Sequence, residues 1–351
     1  MAHEEAKAKG SLPPGKGKPN LTIKDVAKAA GVSYATVSRA MNRSKEISPR
    51  TREHILKVAE EIGYRPNAIA RSLVNKRSCT IALIVPDISY SFFSEIALAA
   101  EDEVNNQGYS MFLCNSRWDV ENERRLLATV QENCVDGIIL HLASSDVGHI
   151  QNLGIPLVLL GCHYDQDFSY VEVNNRNGGR EGTQCLIDSG YRRIACLTGM
   201  RSFLPYDERS RGYIDALQQA SMPLDETIIC HDLDGVEPGY ALAQSMLRTP
   251  NPPDAFFCSN DLIAMGVWQC VVDMGLKIPE QVGICGFDDS DIARLPQIQM
   301  TSVAQPVREI GQKAASILFE AIHDQQEQQM RSLILPTELK KRVSTDKQRR
   351  S

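Results

Sequence analysis

The sequence predicts an α/β protein: a small all-α helix-turn-helix unit and a short hinge helix, followed by a two-lobed body built on parallel sheets. Three observations predict it. Residues 21–64 carry three short helical patterns around a glycine turn, residues from Thr80 onward alternate apolar strand runs with helical stretches, and the charge changes sign between them. Residues 1–80 hold 16 Lys+Arg against 7 Asp+Glu, a net +9, whereas the remainder holds 22 against 37, a net −15. A basic end on an acidic body implies a polyanionic partner for that end, with binding that weakens steeply as salt rises.

Residues 1–20 contain Lys7, Lys9, Lys16, Lys18, three glycines and three prolines with almost nothing apolar, which predicts a disordered basic arm. The arm has no apolar core of a secretory signal, and no apolar run elsewhere is long enough to span a bilayer, so the expectation is a cytoplasmic protein with no membrane partner. In residues 21–64, Ile23, Val26, Ala27 and Ala30 recur at helical spacing, and Gly31 supplies a turn. Ser33 then caps a second helix with Ala35, Val37 and Ala40-Met41 inward. Tyr34, Thr36, Ser38 and Arg39 face outward. A helix-turn-helix reads bases from the start of its second helix, which nominates Tyr34, Ala35 and Arg39 as readers. The competing reading is an ordinary helical hairpin with a solvated face. Ser48 and Pro49 open a third helix whose buried stripe is Ile55, Val58, Ala59 and Ile62. Residues 65–79 follow as a basic hinge with one or two turns of helical potential, marginal alone in water.

The body alternates regularly. Strands are expected at 80–86, 109–114, 137–140 and 157–160, with helices at 92–107 and 120–133 between them. A second series starts with a helix at 178–189 and continues through strand 193–198, helix 209–220, strand 228–230, helix 239–248, strand 255–258, helix 261–274 and strand 282–286. Such a rhythm means right-handed β-α-β units and sheets covered on both faces. About 270 residues exceed one ordinary core, hence two lobes. Ten cysteines lack close metal-type spacing. Cys114, Cys162, Cys196, Cys258 and Cys285 fall in apolar strand-like runs, as buried reduced thiols do. No cofactor or metal is expected.

Two strings near the amino end, Val32-Ser33-Tyr34-Ala35-Thr36-Val37-Ser38-Arg39 and Arg65-Pro66-Asn67-Ala68-Ile69-Ala70-Arg71-Ser72-Leu73, resemble the headpiece and hinge of the lactose-repressor (LacI/GalR) family. The body carries further matching strings: Val85 to Phe93, Ser259 to Gly266, Gly286 to Asp289 and Thr301 to Pro306. The resemblance spans about Leu21 to Ser344. It implies a homodimer on a palindromic double-stranded DNA operator, with Asn67, Ala70, Arg71 and Leu73 entering the minor groove and Leu73 wedging a base step apart, a device whose unstacking cost is offset by contact with bent DNA. It also implies a periplasmic-binding-protein-like domain over residues 80–340, in which the chain crosses between lobes near 174, 304 and 336, and a polar tail at 341–351. The tail lacks leucine heptads, which favours a dimer over a coiled-coil tetramer.

Open α/β sheets bind ligands at their strand ends. Phe92 and Phe93 are candidates to stack on a ligand ring, and Arg209, Asn260 and Asp288 to bind its polar groups, a mixture suited to a sugar. Each also has a plain role: a core phenylalanine, a helix cap, a turn. Many sugar-responsive members carry Asp-Arg after the fourth strand, where this chain has Gly161-Cys162. Purine-binding members carry arginine where this chain has Phe203. Phe203, with Tyr206 and His163, therefore becomes a candidate to shape a pocket for a sugar or sugar derivative. The expected function is a ligand-switched repressor. The alternatives are a two-lobed binding protein or an enzyme without specific DNA binding, for which Asp288-Asp289-Ser290-Asp291 is the tempting carboxylate cluster.

Overall fold

Thr22 precedes the first helix, α1 (Ile23–Ala30), and the Asp25 carboxylate accepts hydrogen bonds from both the Thr22 amide and its hydroxyl, each at 2.8 Å. A computed structural model of the chain describes residues 21–41, 46–64, 77–162, 168–323 and 330–347, and it divides into two units at residue 78. In the first unit Gly31 ends α1 with φ 66°, a left-handed conformation that favours glycine. The chain then enters α2 (Tyr34–Met41), and Ser48 caps α3 (Pro49–Glu61) by accepting from the Thr51 amide. Val26, Val37, Ala40 and Ile55 close one small core among the three helices.

The second unit holds two sheets. The first contains β1 (Thr80–Val85), β2 (Ser110–Asn115), β3 (Gly137–His141), β4 (Leu157–Leu160), β5 (Ser169–Val173) and β11 (Ser332–Leu335), in the order β11-β5-β4-β3-β1-β2, all parallel. Helices α4 (Ser91–Asn106) and α5 (Val120–Glu132) connect its early strands. The second contains β6 (Ile194–Leu197), β7 (Ile229–Cys230), β8 (Ala255–Cys258), β9 (Gly283–Asp288), β10 (Thr301–Ala304) and β12 (Glu338–Lys340), ordered β12-β10-β9-β8-β6-β7. Its helices are α6 (Asn175–Asp188), α7 (Leu204–Gln219), α8 (Val236–Leu247), α9 (Asp261–Asp273) and the short α10 (Asp291–Arg294). Both sheets change direction next to their first strand, at β1/β3 and at β6/β8, and each is sandwiched between two apolar clusters. The chain passes between lobes at Asn174, at 305–306 and at 336–337, because α11 (Val307–His323) returns to cover the first sheet and β11 and β12 lie in different sheets.

Several expectations need correction. Ala35 is exposed, not inward: Val37, Ala40 and Met41 define the buried stripe, and a residue two positions before Val37 points to the opposite side of the helix. α7 begins at Leu204, five residues ahead of the expected start, because Pro205 suits a first turn; Arg209 is therefore inside the helix. α6 starts a turn early, at the Asn174 cap. β12 pairs antiparallel with β10, so the second sheet is not wholly parallel. Cys114 is only half-buried, on the edge strand β2. Helices α10 and α11 and strands β5, β10, β11 and β12 were not anticipated as elements. The carboxyl end is no loose tail over its described length: Ser344 and Thr345 are buried, with the Ser344 hydroxyl 2.6 Å from the Ile284 carbonyl it donates to.

DNA-reading face and effector cleft

In the first unit the core residues of α2 leave one face to solvent. Tyr34 is 51% exposed and Ala35 lies open beside it, while Thr36 and Ser38 are half-buried. Thr36 is held into the helix by Ser33, whose hydroxyl accepts from the Thr36 amide at 3.1 Å. Arg39 extends from the same helix and pairs with Glu46 at 3.3 Å, both side chains more than half exposed. An exposed pair of this kind contributes little to stability and leaves the guanidinium free to exchange partners. Asn67, Ala70, Arg71 and Leu73 lie outside the described residues.

In the second unit the cleft forms where the carboxyl ends of both sheets meet, at the two points where strand order reverses. The first lobe lines it with rings. Tyr90 ends the loop after β1, His141 ends β3, and Trp118 follows β2. Arg117 and Trp118 lie consecutively in the left-handed region, φ 58° and 57°, a strained arrangement that turns the indole inward. Phe93, on the first turn of α4, meets the His141 ring edge-on at 4.9 Å and Trp118 at 6.2 Å.

His141 is held by two neighbours. Its Nδ1 lies 3.2 Å from the Leu142 carbonyl, which fixes Nδ1 as the donor and leaves Nε2 as an acceptor. Gly161, with φ 82°, stands beside it, and a Cβ there would come within 3.0 Å of Nε2. The side chain missing at Gly161 is therefore the room that His141 fills. Burial, reinforced by the nearby Arg209 cation, lowers the His141 pKa to about 4, so the ring is neutral at pH 7.

The second lobe supplies charge. Arg209, 5% exposed, donates from Nε to Asn175 at 2.8 Å and from Nη1 to the Ser259 carbonyl at 2.5 Å. Its guanidinium lies 3.7 Å over the Phe287 ring and 3.5 Å from the Asp288 carboxylate. Two glycines let the backbone reach this place: a Cβ on Gly179 would stand 2.2 Å from the Arg209 carbonyl oxygen, and one on Gly212 would stand 2.1 Å from that of Arg176. Helices α6 and α7 thus cross at backbone contact. Asp288, with φ 104°, accepts from Gln305 at 2.6 Å and from the Tyr90 hydroxyl of the opposite lobe. Asn260 accepts from the Ile263 amide at 2.8 Å, and its amide nitrogen lies 3.5 Å from the Tyr206 hydroxyl.

Asp261, behind Asp288, accepts from the Ser290 amide and hydroxyl and from the Ser302 hydroxyl at 2.7–2.8 Å. Burial first, and repulsion from Asp288 second, raise its pKa to about 7. Burial also raises Asp288, against the pull of Arg209.

Comparison with known proteins decides the family. Residues 22–67 match the model of bacterial regulatory proteins of the lacI family, and residues 78–343 match that of periplasmic binding proteins and the sugar binding domain of the LacI family. The HTH-type transcriptional regulator DegA of Bacillus subtilis (strain 168) is 33% identical over 335 residues, 92% of this chain and 98% of the relative. The chain belongs to the LacI family.

Two solved structures are similar over nearly their whole length. The complex of the transcriptional regulator CelR with cellobiose has 32% identity and a TM-score of 0.71, covering 92% of this chain and 99% of that one. The lac repressor dimer bound to operator and the anti-inducer ONPF has 25% identity and a TM-score of 0.83, covering 93% and 99%. As a LacI-family member, the chain is a DNA-binding transcriptional regulator and not an enzyme. The expected α/β class, with its small helical headpiece and two-lobed body, stands.

Of the effector residues read from the sequence, Phe93, Phe203, Arg209, Asn260 and Asp288 converge on the cleft. Phe92 is half-buried beside Phe93 at 5.1 Å and packs against the first lobe's core. The plain roles hold as well, since Asn260 does cap α9. Within the carboxylate cluster only Asp288 faces the cleft. Asp289 pairs with Arg294 and Arg342, and Asp291 is an exposed partner of Arg294. His163 lies outside the described residues. Sequence reading missed Trp118, His141, Asn175 and the direct bonds of Tyr90 and Gln305. The usable signal was position, because His141, Gln305, Asn175 and Trp118 lie at or within three residues of a strand's carboxyl end and Tyr90 stands just before a helix.

Proposed function

We propose that this LacI-family protein is a cytoplasmic repressor that binds a palindromic operator as a homodimer and is switched by an uncharged, sugar-like molecule in the cleft. One observation carries the reading. A helix with an exposed Tyr34-Ala35-Arg39 face stands on the same chain as a two-lobed body in which Tyr90, beside the first lobe's strand-order reversal, bonds to Asp288, which pairs with Arg209 in the second. Tyr34 and Arg39 offer hydrogen bonds and stacking to base edges in the major groove, and Ala35 offers a methyl contact to thymine. Phe203 in place of a purine-anchoring arginine favours a sugar over a nucleobase, and rings facing charged or amide groups suit C–H faces and hydroxyls. The cellobiose held by CelR is consistent with that choice.

A second copy would cover the edge of the first lobe. There Leu98 of α4 and Phe112 and Leu113 of edge strand β2 are 60%, 47% and 46% exposed, apolar surface of a kind that edges do not ordinarily leave uncovered. Ligand switches the protein only through unequal affinity for two arrangements of the lobes, so induction and corepression both follow from the same geometry.

Selection of genomic fragments by the purified full chain, at fixed salt and with or without pools of neutral sugars, tests the proposal. An enriched palindrome gained or lost with one pool is the expected result. No enriched sequence under any pool would remove the specific-repressor reading. Leu73→Ala is expected to weaken operator binding while leaving ligand affinity unchanged, which gel shift and calorimetry together would check.

A further inference from the structure

Glu123 stands one turn into α5 with its side chain wholly buried. A carboxylate in such a place must be matched by donors, and two meet it. Its Oε2 accepts from the Ala143 amide at 2.7 Å, and its Oε1 accepts from Nε2 of His149 at 2.6 Å, a ring that is itself only 4% exposed. Nδ1 of that ring meets no hydrogen-bond partner among the described residues, so the ring proton belongs on Nε2.

The Ala143 amide is one end of a planar peptide group whose other end is the Leu142 carbonyl. That carbonyl accepts from Nδ1 of His141 at 3.2 Å. One rigid peptide therefore has His141 on one side and Glu123 on the other, with every donor pointing the same way along the chain of bonds and His149 holding the carboxylate from behind.

We propose that Glu123, held by His149, is a positioning residue for the cleft: through the Leu142–Ala143 peptide it keeps His141 in the tautomer that carries its proton on Nδ1, so that Nε2 is presented as a hydrogen-bond acceptor. The proposal rests on the cleft reading above for its consequence, a preference at this corner for a ligand group that donates. It adds two residues that act through the backbone rather than by contact.

Plain anchoring of the loop at 142–150 does not account for the arrangement. Leu142 and Ile150 are buried in the apolar cluster beneath that loop and Val147 packs against it, while Arg124 and Asp146 pair across its exposed turn at 3.7 Å. The loop is thus fastened without a buried charge. A carboxylate is a stronger acceptor than a carbonyl, and a peptide whose N–H it accepts is polarised so that the oxygen at the far end accepts better in turn. Phe93 and Phe203, whose rings lie 4.9 and 5.4 Å from that of His141, carry no polar atom with which to choose its tautomer. The peptide makes the choice, and Glu123 fixes the peptide.

The test uses the full-length chain isotopically labelled at the ring nitrogens of its seven histidines, with the His141 signals assigned by their loss in His141→Gln. At pH 7 the parent is expected to show His141 with a proton on Nδ1 and none on Nε2. Glu123→Met keeps the length of the side chain and removes both acceptor oxygens, and it is expected to move His141 toward the Nε2–H form. Glu123→Gln keeps one oxygen for the Ala143 amide and is expected to restore most of the parent signature. Asp146→Asn, which loosens the same loop without touching the peptide, is expected to leave it unchanged. Operator release by the pool of neutral sugars that acts on the parent reads the consequence, and Glu123→Met is expected to need about fivefold more sugar, the loss of one hydrogen bond. A His141 tautomer that is the same in the parent and in Glu123→Met would overturn the proposal, and so would an equal change in Asp146→Asn. His149→Phe, which keeps a ring in place and releases the carboxylate, decides the matter by the same signature if the methionine variant does not fold. A parent that has the expected tautomer, loses it in Glu123→Met and answers to no sugar leaves the positioning role standing and removes the cleft reading.

Discussion

The two lobes repeat one strand order and contribute opposite chemistry. At the strand ends of the first stand Tyr90, Phe93, Trp118 and His141, a set of rings without a formal charge at pH 7. At the equivalent ends of the second stand Arg209, Asn260, Asp261 and Asp288, held by an internal hydrogen-bond network. Shared topology fixes where a ligand goes in each lobe, because reversal of strand order opens a crevice there. It does not fix what recognises the ligand. The division gives apolar contact and polar selection separate scaffolds, so closing the lobes brings the two together on one molecule. The Tyr90–Asp288 hydrogen bond already joins them.

The largest expected effect comes from breaking the charged side. Arg209→Met leaves Asp288 buried without its cation, and the loss is expected to be about 3–5 kcal/mol of stability, with the response to ligand abolished. Denaturant melts and operator release measure the two consequences. Gly212→Ala tests how the arginine is positioned. Its methyl would meet the Arg176 carbonyl at 2.1 Å, so helices α6 and α7 must separate, at an expected cost of about 1–3 kcal/mol read as a lower melting temperature.

The ring side predicts a pH dependence. The folded-state pKa of His141 lies near 4, below the unfolded value of 6.5, so between these values the unfolded chain binds more protons. This group's contribution is therefore fully present above about pH 6.5 and is lost as pH falls toward 4, by an amount on the order of 3 kcal/mol. Asp261 acts in the opposite sense. Its pKa is raised from 3.8 to about 7, so its contribution favours the folded state at low pH and is lost as pH rises through that interval. The difference in stability between parent and His141→Gln across pH 4–7 isolates the imidazole, and identical pH profiles would contradict the assignment.

The smallest effect is expected from the rings singly. Trp118→Leu should weaken ligand binding by about 1 kcal/mol while retaining the response, in contrast with the arginine. An effect as large as that of Arg209→Met would break the comparison between the lobes. Titration calorimetry with the responding sugar decides it.

Much of this was legible in the residues. Val26, Val37 and Ile55 announce a three-helix core by spacing alone, Ser33 and Ser48 cap the helices they were expected to cap, and Asn260 and Asp288 lie where strand-end chemistry puts them. Local rules succeed there because caps, turns and amphipathic stripes are decided within a few residues. They failed for Ala35, where helical angle outweighed apolar character, and for α11 and the strands on either side of it, which were not read as elements because the regular alternation of strand and helix breaks where the chain passes back between the lobes.

By itself the sequence determined the three-helix reader, the alternation of strands and helices up to about residue 286, the split between a basic reader and an acidic body, and the family. Only the tertiary structure decided the content of the cleft. His141 is neutral because the fold buries it, and it fits because Gly161, twenty residues later, lacks a side chain. Phe203 belongs to one lobe by connectivity and to the other by packing. Arg209 reaches Asp288 because glycines on two helices let their backbones touch. Burial, close approach and through-space charge depend on residues far apart in the chain, and no local pattern encodes them.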